Sequence, residues 1–227
     1  MKSRNHLTIN QDWSKLSVIN STQELYTPQI GLKKKFLDAK KLSLTPRTNQ
    51  TMDEKWKVFE RCDLRVGKIV KSEPHPESEK LYINTVDLGE QNYRMIASGL
   101  NGKIHTDEMV QGLVLVFANI RPKKCVDFKS QGMLLCACDD EMKQIELIRP
   151  PDGSQVGQRV QLAGNPIKGE PLPEEQKPVL TSRKKYAQKL LELLKTDNEG
   201  AATYDGVSLE SPTGKLKCKT LKNMKIL

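Results

Sequence analysis

The feature that most limits how this chain can fold is a succession of short apolar runs, each closed by turn chemistry, between residues 56 and 162. Strand-like runs lie at Leu64–Ser72, Leu81–Leu88, Tyr93–Ser98, Leu113–Ile120 and Met133–Cys138, with shorter pieces at Ile145–Ile148 and Arg159–Leu162. PHPES, LGEQN and PPDGS separate them, and a helical turn at WKVFERC leads in. Runs this short, with so little helix between them, do not build repeated βαβ units and predict a small closed barrel. NGKIHTDEM, between the third and fourth long runs, fits a short helix bridging that barrel, which is the layout of an OB-fold. The expected fold is mainly β, a five-stranded OB barrel over residues 56–162.

The flanks differ in texture. Residues 1–55 are rich in Asn, Gln, Ser, Thr and Lys and read as a basic, solvated arm. Within it, Leu32, Phe36 and Leu42 of GLKKKFLDAKKLSL can line one helical face before Thr45-Pro46 ends it. Residues 163–182 hold four prolines and two glycines and read as a linker. From 183 to 227 a small α+β module is expected. Its helix, in SRKKYAQKLLELLKT, takes Ser182 as cap and places Tyr186, Leu190, Leu193 and Leu194 along one side. Alone, a module of about 45 residues has a thin core, so it is expected to pack on the barrel.

The stretch ANIRPKKCVDFKSQGM, Ala118–Met133, breaks two apolar runs with Arg121, Lys123, Lys124 and Lys129 inside nine positions. A connector needs polarity, not that density of one charge. The whole chain carries 37 Lys+Arg against 28 Asp+Glu, a formal charge of +9, and polyanions are its natural partners. Pro122 fixes the direction of the loop, with Arg121, Lys123 and Lys124 projecting into solvent. Arg65, Lys68 and Lys71 read as alternating along the first strand on one side of the sheet. With aromatics at 5%, a long single-strand channel stacking every base is not expected.

Other classes find little support. No stretch approaches the roughly 18 apolar residues of a spanning helix, and the first residues lack the apolar core of a signal peptide. The five cysteines (62, 125, 136, 138, 218) form no CxxC pair and read as buried reduced thiols, with Cys136 and Cys138 on one strand face. A reducing, cytoplasmic setting follows, in which the N-x-[ST] triplets at Asn20 and Asn49 are chance matches. GxxxxGK[ST], HExxH and G-x-S-x-G are missing, and so are the synthetase signatures His-Ile-Gly-His and Lys-Met-Ser-Lys-Ser. The chain is therefore expected to be no enzyme and to need no cofactor or metal. His75 reads as shaping its turn.

The ordered motifs CDLRVGKIV, HPESEKLY, VDLG, IASGLNG, VLVFANIRPKK, SQGMLLCA and PPDGSQVGQRV closely resemble the tRNA-binding domain of the endothelial-monocyte-activating polypeptide II family, over Phe59–Leu162. RKKYAQKLLELLKTDNEGAATYDGV looks like that family's C-terminal module, with Tyr186 in place of its tryptophan and Tyr204-Asp205-Gly206 at its Tyr-Lys-Gly turn. The resemblance implies an activity: holding tRNA by shape and backbone charge, for aminoacyl-tRNA synthetases of methionyl, tyrosyl or other type, in cis or in trans. It also implies that the module imitates a second subunit, which makes the chain a monomer. Matched residues become candidates for RNA contact: Ser98 and Asn101 in the Ser-Gly-Leu turn, Asn119 at the strand end, Ser130 and Gln131 at the Ser-Gln step, and Met133. A purely structural turn is the alternative at 98–101.

One departure falls inside the best candidate site. Where the family has Met-Arg-Gly, this chain has Cys125-Val126-Asp127, which removes an arginine and adds a carboxylate, so weaker or shifted binding is expected. The tail from Lys215 has five lysines and no acid, and reads either as a solvated surface or as an extension of the RNA face. A signalling heptapeptide resembled by Leu64–Val70 is expected to be largely buried by strand pairing. Two rival functions remain, a scaffold for synthetases with weak RNA affinity and a polypeptide-binding chaperone on the same barrel.

Overall fold

A computed structural model describes residues 52–164, 179–180 and 185–227, all within one compact unit. The expected arm, its amphipathic segment and most of the expected linker lie outside the described residues. Helix α1 (Met52–Arg61) precedes strand β1 (Leu64–His75), which pairs with β2 (Ser78–Asp87), itself paired with β3 (Arg94–Ser98). Helix α2 (Thr106–Val110) leads to β4 (Leu113–Phe117), which returns beside β1 and then pairs with β7 (Met133–Leu134). Between β4 and β7 stand β5 (Lys123–Cys125) and β6 (Phe128–Ser130), paired only with each other. The five-stranded antiparallel sheet runs β3-β2-β1-β4-β7, the curled sheet of an OB barrel.

Alternation along β1 feeds two cores. Ile69 faces the barrel interior with Val86, Leu88, Ile96, Val114 and Val116, closed at one end by Leu100, Ile104 and the fully buried Met109 of α2. Leu64 and Val66 face the other way, into a second core with Phe59, Leu115 and Phe117. Gly67 keeps β1 close to the interior core, where a Cβ would lie 2.8 Å from Leu88 and 2.9 Å from Val116.

The second core is completed from the far end of the chain. Strands β8 (Cys136–Cys138), β9 (Ile145–Leu147) and β10 (Gln161–Leu162) are followed by helix α3 (Tyr186–Leu193) and strands β11 (Leu194–Thr196), β12 (Ala202–Tyr204), β13 (Val207–Ser211), β14 (Gly214–Lys215) and β15 (Lys225–Ile226). These form one sheet, β10-β13-β12-β11-β15-β8-β9, so the last strand of the module covers the edge of a barrel hairpin. Leu190, Leu194, Leu209, Leu216 and Ile226 are buried against the outer face of the barrel. The expected packing of module on barrel is therefore a shared core and a shared sheet. Helix α1 joins both: the Phe59 ring lies 5.3 Å from that of Tyr204, whose hydroxyl donates to Lys55 O at 3.0 Å.

Local expectations fare unevenly. Leu64–Val70 is largely buried by pairing on both sides, as expected. Helix α3 starts at Tyr186 with Lys185, at φ 49° and with no side-chain hydrogen bond, as its cap; the expected cap Ser182 lies outside the described residues. Cys62, Cys136, Cys138 and Cys218 are buried. Burial pushes the thiols of Cys62 and Cys136 up to about 12 and that of Cys218 up to about 11.

Two outcomes follow. Leu190→Ala is expected to cost about 2–5 kcal/mol and to leave a single unfolding transition, since module and barrel share one core; urea denaturation read by two probes checks both. A thiol whose folded pKa is raised keeps its proton where the unfolded chain loses it. Stability is then whole below the ordinary value of 9.0 and falls as pH rises towards 12. Urea midpoints at pH 8 and pH 10.5 measure that fall, and Cys136→Ala is expected to make it shallower.

Candidate nucleic-acid interface

The basic loop is not open. Its middle is a two-stranded ribbon with Lys123 opposite Ser130, Lys124 opposite Lys129 and Cys125 opposite Phe128. Arg121, Lys123, Lys124 and Lys129 are all exposed. Among the described residues no carboxylate lies within ion-pair distance of any of the four. Lysines directly across a ribbon repel, so this arrangement carries a cost that a bound anion removes.

The base of the loop is clamped. Arg94 donates to Ala118 O on one side and, at 3.1 Å, to Gln131 O on the other, while Glu90 holds the guanidinium from behind at 2.6 and 2.7 Å. Sequence reading missed Arg94; the Glu90–Arg94 spacing of four was the available signal. The tip turns at Val126, whose φ of 55° is a genuine outlier for a β-branched residue, costing about 1–3 kcal/mol. Next to it, Asp127 accepts from the buried His75 ring at 2.8 Å. The carboxylate that departs from the family pattern is thus engaged by a histidine, which does shape its turn.

Several matched residues serve the scaffold instead of the surface. Arg65 is 3% exposed and is held by Asp63 at 2.9 and 3.0 Å and by Glu90 at 3.4 Å. The reading that placed it beside Lys68 and Lys71 is corrected. Position 65 differs from 68 by an odd number, whereas the irregularity between Ile69 and Lys71 returns Lys71 to the side of Lys68. Those two lysines are exposed, and Lys71 meets Glu73 at 2.9 Å with both side chains in solvent, a contact of small energy. Asn119 is buried; it accepts from Asp63 N at 2.8 Å and donates to Arg61 O at 2.9 Å.

Ser130 and Gln131 close the barrel. Ser130 Oγ accepts from Ala97 N at 3.0 Å, and Gln131 exchanges backbone and side-chain bonds with Met95 at 2.9 and 2.8 Å. Met133 pairs with Phe117 and packs against the second core. Ser98 accepts from the fully buried Asn84, which also accepts from Ser72. Asn101 is half-buried in the turn after β3. The exposed set is therefore Lys68, Lys71, Arg121, Lys123, Lys124 and Lys129, with Asn101 at its turn. In the module, Lys215, Lys217, Lys219 and Lys222 are exposed, and Lys225 pairs with Asp140 at 2.6 Å.

Among the described residues no cluster of three His, Cys, Asp or Glu side chains could hold a metal, and no helix is long and apolar enough to cross a membrane. A barrel of this topology bearing cations on the loop after its fourth strand is an OB-fold domain built to meet a polyanion. Residues 64–159 match the family described as "Putative tRNA binding domain", and the chain belongs to that family, one of binding domains and not of catalytic ones.

Relatives agree. Cytoplasmic tyrosine–tRNA ligase of Danio rerio is 36% identical over 174 residues, 76% of this chain and 32% of that one. Aminoacyl tRNA synthase complex-interacting multifunctional protein 1 of Cricetulus griseus is 35% identical over 164 residues, 72% of this chain and 43% of that one. The crystal structure of the C-terminal domain of Plasmodium vivax p43 superposes with a TM-score of 0.62 at 30% identity, covering 74% of this chain and 98% of that one. The chain spans about a third of the length of the tyrosine–tRNA ligase it matches.

The scaffold assignment of Asn119 has a direct consequence. Asn119→Ala leaves the buried Asp63 N–H without its acceptor and is expected to cost about 1–3 kcal/mol of stability, measured by urea denaturation.

Proposed function

We propose that this chain is a non-catalytic tRNA-binding protein that holds the sugar-phosphate backbone of tRNA on its barrel and serves aminoacyl-tRNA synthetases, in cis or in trans. The observation that carries this reading is the ribbon, where Lys124 stands directly opposite Lys129 with no carboxylate of the described residues to offset either. Arg121 and Lys123 extend the same charge, and Lys68 and Lys71 add a second exposed pair on the barrel. Recognition through phosphates on a rigid surface reads shape before sequence and releases counterions at each contact.

The partner class follows from the company the family keeps: the matched relatives are named as synthetases and as a synthetase-complex protein. The names of the synthetases among them include the word cytoplasmic, which supports the same setting here. We read the chain as a monomer, because its own C-terminal module occupies the outer face of the barrel. The organisation that fits is an arm to residue 55, the barrel over 56–162, a linker over 163–182 and the module over 183–227.

Gel-shift titration with bulk tRNA and a duplex DNA competitor at two salt concentrations tests the reading. tRNA is expected to win, with log K falling by about 0.7–0.9 per phosphate contact for each decade of salt. Reversing Lys123 and Lys124 to Glu is expected to weaken binding by about 1–3 kcal/mol. Equal affinity for both polyanions would reduce the surface to general stickiness. A synthetase pull-down that survives nuclease, with no shift of tRNA, would favour the scaffold.

A further inference from the structure

The ribbon contains one group that works against its own charge. Asp127 sits at the tip, between Lys124 and Lys129 in sequence, where a carboxylate repels phosphate. Its partner is unusual in its construction. His75 lies at the end of β1, in the turn before β2; its side chain has no solvent exposure, and both ring nitrogens are engaged. Nδ1 accepts from Glu77 N at 3.0 Å, which leaves the proton on Nε2 of the neutral ring, so Nε2 donates to Asp127 Oδ1 at 2.8 Å. The imidazole also stacks on Phe128, with centroids 5.8 Å apart and planes 27° apart.

These contacts join two particular segments. The β1–β2 turn and the loop after β4 are the pair that flank the ligand face of an OB-fold. Arg94 and Asn119 hold the base of that loop. At the tip, Val126 holds a backbone conformation that persists only where its surroundings over-determine it. The bond from the adjacent Asp127 to a buried ring supplies that constraint.

We propose that His75 and Asp127 form a latch that fixes the direction of the cationic ribbon, making Asp127 a positioning residue for phosphate binding although its own charge opposes that binding. The proposal rests on the reading of the ribbon as the tRNA site. With the latch closed, Lys124 and Lys129 are presented together on a rigid hairpin. With it open, the strained tip relaxes and the two lysines move apart under their mutual repulsion.

Charge and latch predict different patterns, and two variants of this exposed residue separate them. Asp127→Asn removes the negative charge and keeps the Oδ1 acceptor, whereas Asp127→Ala removes both. If Asp127 acted only through its charge, both variants of the full chain would bind bulk tRNA more tightly by the same factor, and that result would overturn the proposal. The latch predicts that the Asn variant binds more tightly than the native chain. It predicts that the Ala variant binds about three- to tenfold more weakly than the Asn variant, the range of one net hydrogen bond, with a shallower salt dependence.

Amide hydrogen exchange across Lys123–Ser130 in the free protein gives a readout independent of RNA. Exchange is expected to quicken in Asp127→Ala and to stay native in Asp127→Asn. Unchanged exchange in Asp127→Ala would overturn the latch whatever tRNA does. Faster exchange in a chain whose native form has no affinity for tRNA would leave the latch standing and remove the tRNA reading.

Discussion

Four cations within nine positions repel one another, and a free loop carrying them would spread. Arg94 prevents this by donating to Ala118 O and Gln131 O, which pins both ends of the loop to one guanidinium. The clamp is itself held by Glu90, which also receives Arg65 from β1. A buried carboxylate shared by two arginines thus underlies the exposed positive charge. The acid that holds this clamp sits beneath the loop and leaves its four exposed cations unpaired among the described residues. On the proposed reading, ordering these cations costs little at the moment a phosphate arrives.

The same economy governs the rest of the fold. The barrel has two apolar faces on β1, one turned to its interior and one turned out. The outer face would be a liability alone, an exposed patch of Leu64, Val66, Leu115 and Phe117. The C-terminal module removes it by lending Leu190, Leu194 and Ile226, and by adding β15 to the open edge at β8. A module too small for a core of its own becomes stable by completing one that the barrel leaves open. The barrel's exposed cations Lys68, Lys71, Arg121, Lys123, Lys124 and Lys129 all stay outside that shared core.

Much of this was legible in the sequence, for a physical reason. Short apolar runs with period-two burial and Gly, Pro or Asp at their ends commit the backbone locally, so the main strands of the barrel fall where the pattern places them, while the ribbon Lys123–Ser130 and the division of Met133–Cys138 between two sheets do not show in it. Ordered motifs carried the family. Roles inside the motifs were harder to read. Asn119, Ser130, Gln131 and Ser98 match the family in sequence, but matching does not separate a side chain that meets ligand from one that satisfies a buried backbone group. Asp63 N, Ala97 N and Met95 N each needed an acceptor, and these residues supply them or brace the strands that do.

By itself, the sequence determined the class of fold, the excess of positive charge and the loop that carries it, since these follow from residue type, spacing and turn chemistry. Only the tertiary structure decided which of those charges face solvent. Arg65 and Arg94 are as basic as Arg121, yet Arg65 is held by the nearby Asp63 and by Glu90, 25 positions on, and Arg94 by Glu90 and by the backbone carbonyls of Ala118 and Gln131. Burial and pairing are properties of what surrounds a group in space, and a spacing of two or four positions does not by itself say that the two groups meet inside the fold.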